Sequence, residues 1–289
     1  MRILPILTFA ELRKLVGRRL LWVEMGLLAL LIVVLHITLM AVLQRPGEHG
    51  LPPQEVALLE RGLRWPQGVT SGLAFINGGE LGGLFAVVLV AAFMAQEYTW
   101  RTVHLWISRG IDRAVFLAAK MLAIMVALMA LVWTAFFWGA AVTGVYTLHT
   151  TGELPWHQVA WAGLLGGVLK MILTLLPYAA FTLAVAVLSR STMIATAVGL
   201  GYSLVLENLV VEVLLLVSPR AASLARYLPR LLAKSLAQTV TGSTEVHVGL
   251  ATSAGRLLSP EVAAVFLVLY AGLGFLVAGW AFRRQDIPG

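Results

Sequence analysis

The residues of this chain that could carry chemistry are ionisable and amide side chains placed inside long apolar runs. They are Asn77, Glu80, Lys170, Glu207, Asn208 and Glu212. Each would be costly if it faced lipid, so we expect each to face protein or water. Two interpretations are open. These residues either line a polar route across a membrane, or they form internal ion pairs, such as Lys170 with Glu207 or Glu80, that fix the packing of helices.

A second polar stretch, Glu97–Lys120, separates two of the most apolar runs of the chain. Its charged residues are Glu97, Arg101, Arg109, Asp112, Arg113 and Lys120. A segment with these charges cannot lie in lipid, so we expect a loop at a membrane surface. The interior of the loop predicts a short amphipathic helix, with Val103, Trp106 and Ile107 on one face and Arg101, His104 and Ser108 on the other.

The common catalytic motifs are absent from the sequence. There is no G-x-x-x-x-G-K-[ST] phosphate loop, no H-E-x-x-H pair and no G-x-S-x-G elbow. Cysteine is absent, which excludes disulfides, thiolate metal sites and cysteine nucleophiles. The sequence therefore predicts a protein that is not an enzyme, holds no metal or cofactor of its own, and lacks a phosphate loop for ATP.

The composition indicates that the solvent of this chain is lipid. Of its 289 residues, 60% are hydrophobic and 12% are charged, with a mean hydropathy of +0.89. Soluble domains carry about 25% charged residues. The net charge of +7 could indicate nucleic acid, but the basic residues cluster at the ends of apolar runs. This distribution favours anionic lipid headgroups as the partner, and no nucleic acid is expected.

Apolar runs long enough to cross a membrane recur along the chain. A crossing helix needs roughly 20 apolar residues. We predict six spans, at about 21–43, 73–96, 115–148, 156–188, 193–217 and 262–282. The fold class is therefore an all-α integral membrane protein, with residues 1–289 forming a single transmembrane domain.

The segment before the first span predicts an amphipathic helix in the membrane interface. Its apolar residues are Ile6, Phe9, Leu12, Val16 and Leu20, and its polar face carries Glu11, Lys14 and Arg18. A short helical extension of the first span is the alternative. The segments 44–72 and 218–258 are the two large loops on the opposite side of the membrane, and the second contains a predicted interfacial helix followed by a Ser/Thr/Gly-rich stretch.

The distribution of basic residues predicts the orientation. Twelve Lys and Arg residues fall on the side of the termini and the Glu97–Lys120 loop, and eight fall on the other side. Because cytoplasmic loops are enriched in Lys and Arg, we expect both termini and the Glu97–Lys120 loop to be cytoplasmic. The expected location is the plasma (inner) membrane, as a multi-pass protein.

The loop together with six spans resembles the permease subunit of type-2 ABC transporters, an exporter-type family. In that family the loop between the second and third spans begins with a glutamate, passes through G-T-like and S-R-like steps, and ends in a lysine. Glu97, Thr102, Ser108-Arg109 and Lys120 match this pattern. Arg101 stands where glycine is usual and Ile107 where proline is common.

The resemblance implies that the loop is a coupling helix seated in a cleft of a separate cytoplasmic ABC ATPase subunit, present in two copies. The coupling and docking residues it implies are Glu97, Arg101, Thr102, Trp106, Ser108, Arg109 and Arg113. The arginines would supply charge pairing and Trp106 an apolar anchor. ATP and Mg would bind on the ATPase. A second permease copy, identical or a similar paralogue, would complete the pathway, and the direction would be export.

Other interpretations stay open from the residues. The arginines of the loop could contact lipid phosphates instead of a protein. The chain could also be an ion-coupled secondary transporter that uses Glu207, Glu212 and Lys170, or a membrane assembly factor that transports nothing. An ATPase that co-purifies with the chain would favour the permease, whereas uptake driven by an ion gradient would favour the secondary transporter.

Overall fold

The computed structural model describes residues 3–45, 52–100, 102–241 and 257–285. Within these ranges the chain is helical and contains no strand. In the same ranges, six helices are long and apolar enough to cross a membrane. The predicted all-α fold with six span-length helices is therefore confirmed for the described residues, and the chain is a multi-pass membrane protein.

The helices follow one another in the order expected from the hydropathy pattern. They are α1 Ile3–Gly17, α2 Arg19–Gln44, α3 Pro53–Leu63, α4 Ser71–Phe75, α5 Leu81–Thr99, α6 Thr102–Ser108, α7 Arg113–Thr151, α8 Trp161–Ser189, α9 Thr192–Leu200, α10 Glu207–Val217, α11 Pro219–Ala225, α12 Pro229–Thr241 and α13 Pro260–Arg284. The predicted Ser/Thr/Gly-rich stretch falls mostly on 242–256, outside the described residues.

The second span begins later than predicted, at Leu81 and not near residue 73. The side chain of Asn77 is the reason, because its Oδ1 accepts from the Gly79 N–H at 3.0 Å and its Nδ2 donates to the Ala74 carbonyl at 2.8 Å. Such side-chain bonds compete with the helical ladder. The residues before Leu81 therefore form a separate short helix, α4, and a turn.

The fifth span is continuous but irregular. Between α9 and α10 the residues Gly201–Leu206 form a wider π-helical turn. Asn208 supports this region, since its Nδ2 donates to the Leu204 carbonyl at 2.7 Å. Insertions of this kind are rare in α-helices and often occur near functional groups. Here the insertion directly precedes Glu207, one of the predicted intramembrane carboxylates.

Three spans form the centre of the described bundle and three form its periphery. Helices α5, α7 and α8 bury most of their apolar window, whereas α2, the α9–α10 span and α13 leave most of it exposed. Helix α8 packs against α5, α9, α12 and α13, and α7 packs against α1, α2 and α4. The peripheral spans therefore present broad apolar surfaces, as lipid-facing or interface helices do.

Helix α7 defines the two borders of the membrane domain. With 39 residues it is about 58 Å long, well beyond the roughly 30 Å of hydrocarbon that it must cross. We use the term Glu97 border for the end where α5 stops and α7 starts. The Trp161 border is the opposite end, where α7 stops and α8 starts.

The extra length of α7 at the Trp161 border is covered by the segment before α5. The backbone N–H of Trp65 donates to Thr147 Oγ1 at 2.9 Å, and its indole N–H donates to Thr143 Oγ1 at 3.2 Å. His36 of α2 joins the same region, because its Nε2 lies 2.8 Å from Ser71 Oγ. These contacts hold α2, α4 and α7 together through polar side chains.

The contact between α4 and α7 depends on two glycines and gives a first prediction. A Cβ atom on Gly139 would overlap the Cα of Gly72, while a Cβ on Gly272 of α13 would meet nothing within 4 Å. We expect Gly139→Ala to destabilise the protein by about 1–3 kcal/mol, as overpacking does. Gly272→Ala is the matched control, and its unfolding midpoint should be no lower than that of the wild type. Thermal unfolding in detergent measures both, and equal midpoints would contradict a tight α4–α7 contact.

Candidate functional site

Several ionisable and other polar side chains gather in two groups, one towards each border. The Glu97 cluster consists of Glu11, Lys14, Arg18, Glu97, Thr102 and Lys120. The Arg230 cluster consists of Glu80, Tyr178, Glu207, Asn208 and Arg230. The first group contains the start of the predicted coupling loop, and the second contains half of the predicted intramembrane polar residues.

The centre of the Glu97 cluster is Lys120, whose side chain is fully buried. Its Nζ lies 2.7 Å from Glu11 Oε2 and 2.9 Å from Glu97 Oε1. The same Nζ donates to the Phe93 carbonyl at 3.3 Å and lies 3.9 Å from the centroid of the Phe93 ring. One ammonium therefore joins α1, α5 and α7, and its charge is compensated by carboxylates from two different helices.

Glu97 ties the start of α6 to this centre. The Thr102 hydroxyl donates to the Glu97 carboxylate, and Arg18 and Lys14 approach Glu97 Oε1 at 3.4 and 3.6 Å. The carboxylate itself is buried. Glu97 can therefore fix the start of α6 from inside the protein, but its buried carboxylate cannot itself contact a partner protein.

Helix α1 turns its charged face into the protein, which differs from the expected interfacial arrangement. Glu11 is fully buried and accepts from Lys14 Nζ at 2.7 Å, while Ile6 and Phe9 are each 70% exposed. The charges lie inward because Lys120 and Glu97 offer partners there, and a paired charge avoids most of the cost of burial. The apolar side of α1 is the side available to lipid.

Arg18 lies in the link between α1 and α2 and completes the group. Its guanidinium lies over the rings of Phe93 and Trp100, each 5.2 Å from the ring centroid. Burial lowers the pKa of Arg18, and the nearby Glu97 and Glu11 carboxylates act in the opposite direction. Because the ordinary pKa of arginine lies far above neutrality, the group stays charged.

The short helix α6 has a buried face and an exposed face, as the sequence predicts. Val103 is buried. Trp106 is half-buried, and the Lys14 Nζ lies 4.9 Å from the centroid of the Trp106 ring. The exposed face carries Leu105, followed by Ser108 and Arg109. Trp106 is therefore largely engaged within the chain, and Leu105, which the sequence analysis did not select, is the apolar residue that α6 exposes.

Two arginines of the predicted docking set need separate comment. Arg113 donates to the carbonyl oxygens of Arg283 at 2.9 Å and Gln285 at 2.7 Å, so it caps the end of α13. Its guanidinium is therefore engaged with the end of α13, while its expected role in partner binding stays a prediction. Arg101 lies outside the described residues. A cavity of about 620 Å³ opens beside α6, lined in part by Asp112 and Arg283.

The Arg230 cluster is built around a buried carboxylate. Glu207 is buried, and its oxygens accept from the Tyr178 hydroxyl at 2.8 Å and from the backbone N–H of Arg230 at 2.6 Å. The Arg230 guanidinium donates to Asn208 Oδ1 and lies 3.7 Å from Glu80 Oε1. The start of α12 thus inserts between the ends of the spans and gathers Glu80, Glu207 and Asn208.

Lys170 is not the cation of this cluster, so the predicted pairing with Glu207 or Glu80 is wrong. The side chain of Lys170 is half-buried, and its Nζ donates instead to Thr239 Oγ1 at 2.9 Å. Arg230, which lies in the segment 218–258, occupies the position that was expected for Lys170. Of the remaining predicted residues, Asn77 forms the turn before α5 and Glu212 is exposed on α10, so neither joins the cluster.

Comparison with known proteins relates the chain to one family. Residues 72–288 match the family described as "Protein of unknown function (DUF2705)". The chain belongs to this family. The match spans α5 to α13 and includes Glu97, Lys120, Glu207 and Arg230, while Glu11 precedes it. None of the curated proteins matches the chain.

The buried ammonium gives a second prediction. Lys120→Met leaves Glu11 and Glu97 without their central cation, and we expect it to destabilise the protein by about 3–5 kcal/mol. Lys14→Met is the matched control, because its side chain is 31% exposed and its loss leaves Glu11 and Glu97 paired with Lys120, so we expect a smaller loss of stability. Unfolding midpoints in detergent measure both changes.

A double variant tests the cause of this loss. Glu11→Gln combined with Lys120→Met neutralises one of the two carboxylates that have lost Lys120. The double variant should therefore have a higher unfolding midpoint than Lys120→Met by itself. Equal losses for Lys120→Met and Lys14→Met, or no recovery in the double variant, would contradict a charge centre at Lys120.

Proposed function

We propose that this protein is the transmembrane subunit of an ABC transporter. In this proposal it forms the translocation pathway with a second permease copy, couples to a separate cytoplasmic ATPase subunit, and works in export. The sequence pattern of Glu97, Thr102, Ser108-Arg109 and Lys120 supports the proposal by its resemblance to such permeases. The geometry around α6 supports it independently.

The observation that carries the proposal is the way in which α6 is held. Its inner face is attached by buried contacts through Val103 and Trp106, and its start is fixed by the Glu97–Thr102 hydrogen bond. Its outer face presents Leu105 and Arg109. A helix that is rigidly attached on one side and exposed on the other suits the transfer of force from a docked protein to the spans.

The Glu97 cluster supplies the path for that transfer. Displacement of α6 would pull on Glu97 at the end of α5, and through Lys120 on α7 and α1. Closure of two ATP-loaded ATPase subunits would therefore move three helices together. ATP and Mg belong to the partner in this proposal, since the chain carries no phosphate-loop motif, and this chain needs no cofactor.

The second permease copy is supported by the exposed surfaces of the peripheral spans. Helix α10 places the Glu212 carboxylate on an exposed face among apolar side chains such as Leu209 and Val213. An exposed carboxylate in a span is costly against lipid, so a protein or water neighbour is favoured. A second copy, or a similar paralogue, would supply this neighbour and enclose a polar route that Glu80 and Asn208 could line.

The secondary-transporter alternative depended on Glu207, Glu212 and Lys170 acting together. In the described chain Glu207 belongs to the Arg230 cluster, Glu212 is exposed on α10, and Lys170 bonds Thr239. No shared ion site results from these positions. The geometry therefore favours the permease.

Loss of the partner is the third prediction. The double variant Leu105→Asp Arg109→Glu changes the exposed face of α6 without touching its buried side, so we expect the ATPase to dissociate while the fold persists. Tagged protein is purified from its native membrane, and the co-purifying ATP hydrolysis is measured. Arg61→Glu reverses an exposed charge on α3, at the opposite border, and is the control that should keep the ATPase.

A full complement of ATPase on the α6 double variant would refute α6 as the docking element. Wild-type protein that never co-purifies with an ATPase would instead favour a membrane assembly factor.

The proposed location is the plasma (inner) membrane with both termini cytoplasmic, and it gives the fourth prediction. The chain contains no cysteine, so single cysteines are clean reporters. Ser108→Cys should resist a membrane-impermeant maleimide in intact cells and react after permeabilisation, because Ser108 is exposed on the proposed cytoplasmic side. Gln54→Cys on α3 should react in intact cells. The reverse labelling pattern would invert the orientation.

A further inference from the structure

A cleft at the Trp161 border has no part in the proposed function. It has a volume of about 280 Å³ and lies between the segment before α4, the first turns of α8 and the end of α12. Its polar lining residues are Gln67, Thr70, Gln158, Lys170 and Thr239. Apolar walls are added by Leu164 and Val240.

Lys170 is the charged residue of this cleft, and within the described chain no carboxylate lies within ion-pair distance of it. Its Nζ makes the hydrogen bond to Thr239 described above. A lysine ammonium has three donors, so two remain for a ligand. Since an ammonium inside a span is costly without an anion, the cleft is suited to a negatively charged group.

The cleft opens at the depth of the lipid headgroups. Lys170 lies about 14 Å along α8 from Trp161, and helical side chains point towards the helix N-terminus, so its side chain reaches back towards the border. Trp156 and Trp161 are about half exposed beside this end of α8. Tryptophans with this exposure are typical of the headgroup region. An anion bound by Lys170 would therefore lie just below this level.

Two glycines of α8, Gly163 and Gly167, line the cleft and contribute no side chain to it. A Cβ atom on Gly163 would meet only Ala160, at 4.0 Å, so space is open above it. A Cβ on Gly167 would lie 2.7 Å from Val240 Cγ1, so α12 closes the cleft at that level. The result is a slot that is open at Gly163, closed at Gly167, and has the Lys170 ammonium at its inner end.

The surroundings of the slot favour an amphiphile. On α8 the neighbouring side chains of Leu165 and Leu169 are exposed and apolar, as expected for a lipid-facing surface. A ligand that reaches the slot from this surface arrives with an apolar tail. Its anionic group would meet Lys170, with the amides of Gln67 and Gln158 as further hydrogen-bond donors.

We propose that this cleft binds the phosphate group of an anionic phospholipid from the leaflet at the Trp161 border. Lys170 pairs with the phosphate oxygens, and the lipid tail lies along Leu164 and the exposed apolar surface of α8. A soluble phosphate ester shares the headgroup chemistry but lacks the tail. The proposal does not depend on ATPase docking, because the cleft lies at the border opposite α6.

The test uses the purified full-length chain without any ATPase. Protein in detergent is incubated with phosphatidylglycerol or with phosphatidylcholine of the same acyl chains, and retained lipid is counted by native mass spectrometry. We expect phosphatidylglycerol to be retained about tenfold better, because its headgroup has a net negative charge, whereas the choline cation of phosphatidylcholine offsets the charge of its phosphate. Lys170→Gln should abolish this preference and Lys170→Arg should keep it.

Two further variants separate the cleft from general charge effects. Lys234→Gln removes a cation of α12 that does not line the cleft, and it should leave the preference unchanged. Gly163→Leu fills the open end of the slot while Lys170 remains, and it should lower phosphatidylglycerol retention to the level of Lys170→Gln. Unfolding midpoints equal to wild type confirm that the variants are folded.

The source of the phosphate is distinguished by competition. Inorganic phosphate at the lipid concentration should displace no phosphatidylglycerol, because it lacks the tail contacts. Displacement by inorganic phosphate would overturn the lipid assignment in favour of a soluble anion. Equal retention of the two lipids by wild type, or an unchanged preference in Lys170→Gln, would overturn the site itself.

Discussion

The buried ion pairs of Lys120 with Glu11 and Glu97 are the constraint on which the rest of this structure depends. A lysine that is fully buried in a membrane domain is tolerated only with partners at hydrogen-bond distance, here 2.7 and 2.9 Å away. Those partners come from α1 and α5, so the two helices must pack on α7 at this level. The inward direction of the charged face of α1 and the attachment of α6 both follow from this requirement.

At the opposite border the buried carboxylate is satisfied mainly by hydrogen bonds from uncharged groups. There Glu207 is satisfied by a tyrosine hydroxyl and a backbone N–H, while the Arg230 guanidinium turns to Asn208 and Glu80. The ion pair between Arg230 and Glu80 is longer, at 3.7 Å, than the ion pairs of Lys120, and its Glu80 side chain is more than half exposed. The Glu97 border is therefore held by short, buried ion pairs, whereas the Arg230 cluster, near the π-helical turn, has a longer and more exposed one.

Several features were predictable because they depend on local sequence. Six span-length helices follow from apolar runs longer than the membrane is thick, and α13 starts at Pro260, since proline is favoured at the first helical position. The amphipathic pattern of α6 likewise predicts its buried side through Val103. The late start of α5 was not predicted, because the Asn77 turn interrupts an otherwise apolar stretch through side-chain hydrogen bonds.

The sequence by itself determined the solvent of this protein, the number of its span-length helices and the polar residues that needed partners. Only the tertiary structure decided which partners they received. Lys120, which the sequence placed where the Glu97–Lys120 loop enters the third span, is fully buried between Glu11 and Glu97, while Lys170 in the middle of a span bonds a threonine. The reason is that Glu11, Glu97 and Lys120, like Glu207 and Arg230, are distant in sequence. The burial of a charge is set by the groups that packing brings within 3 or 4 Å, which a local pattern does not encode.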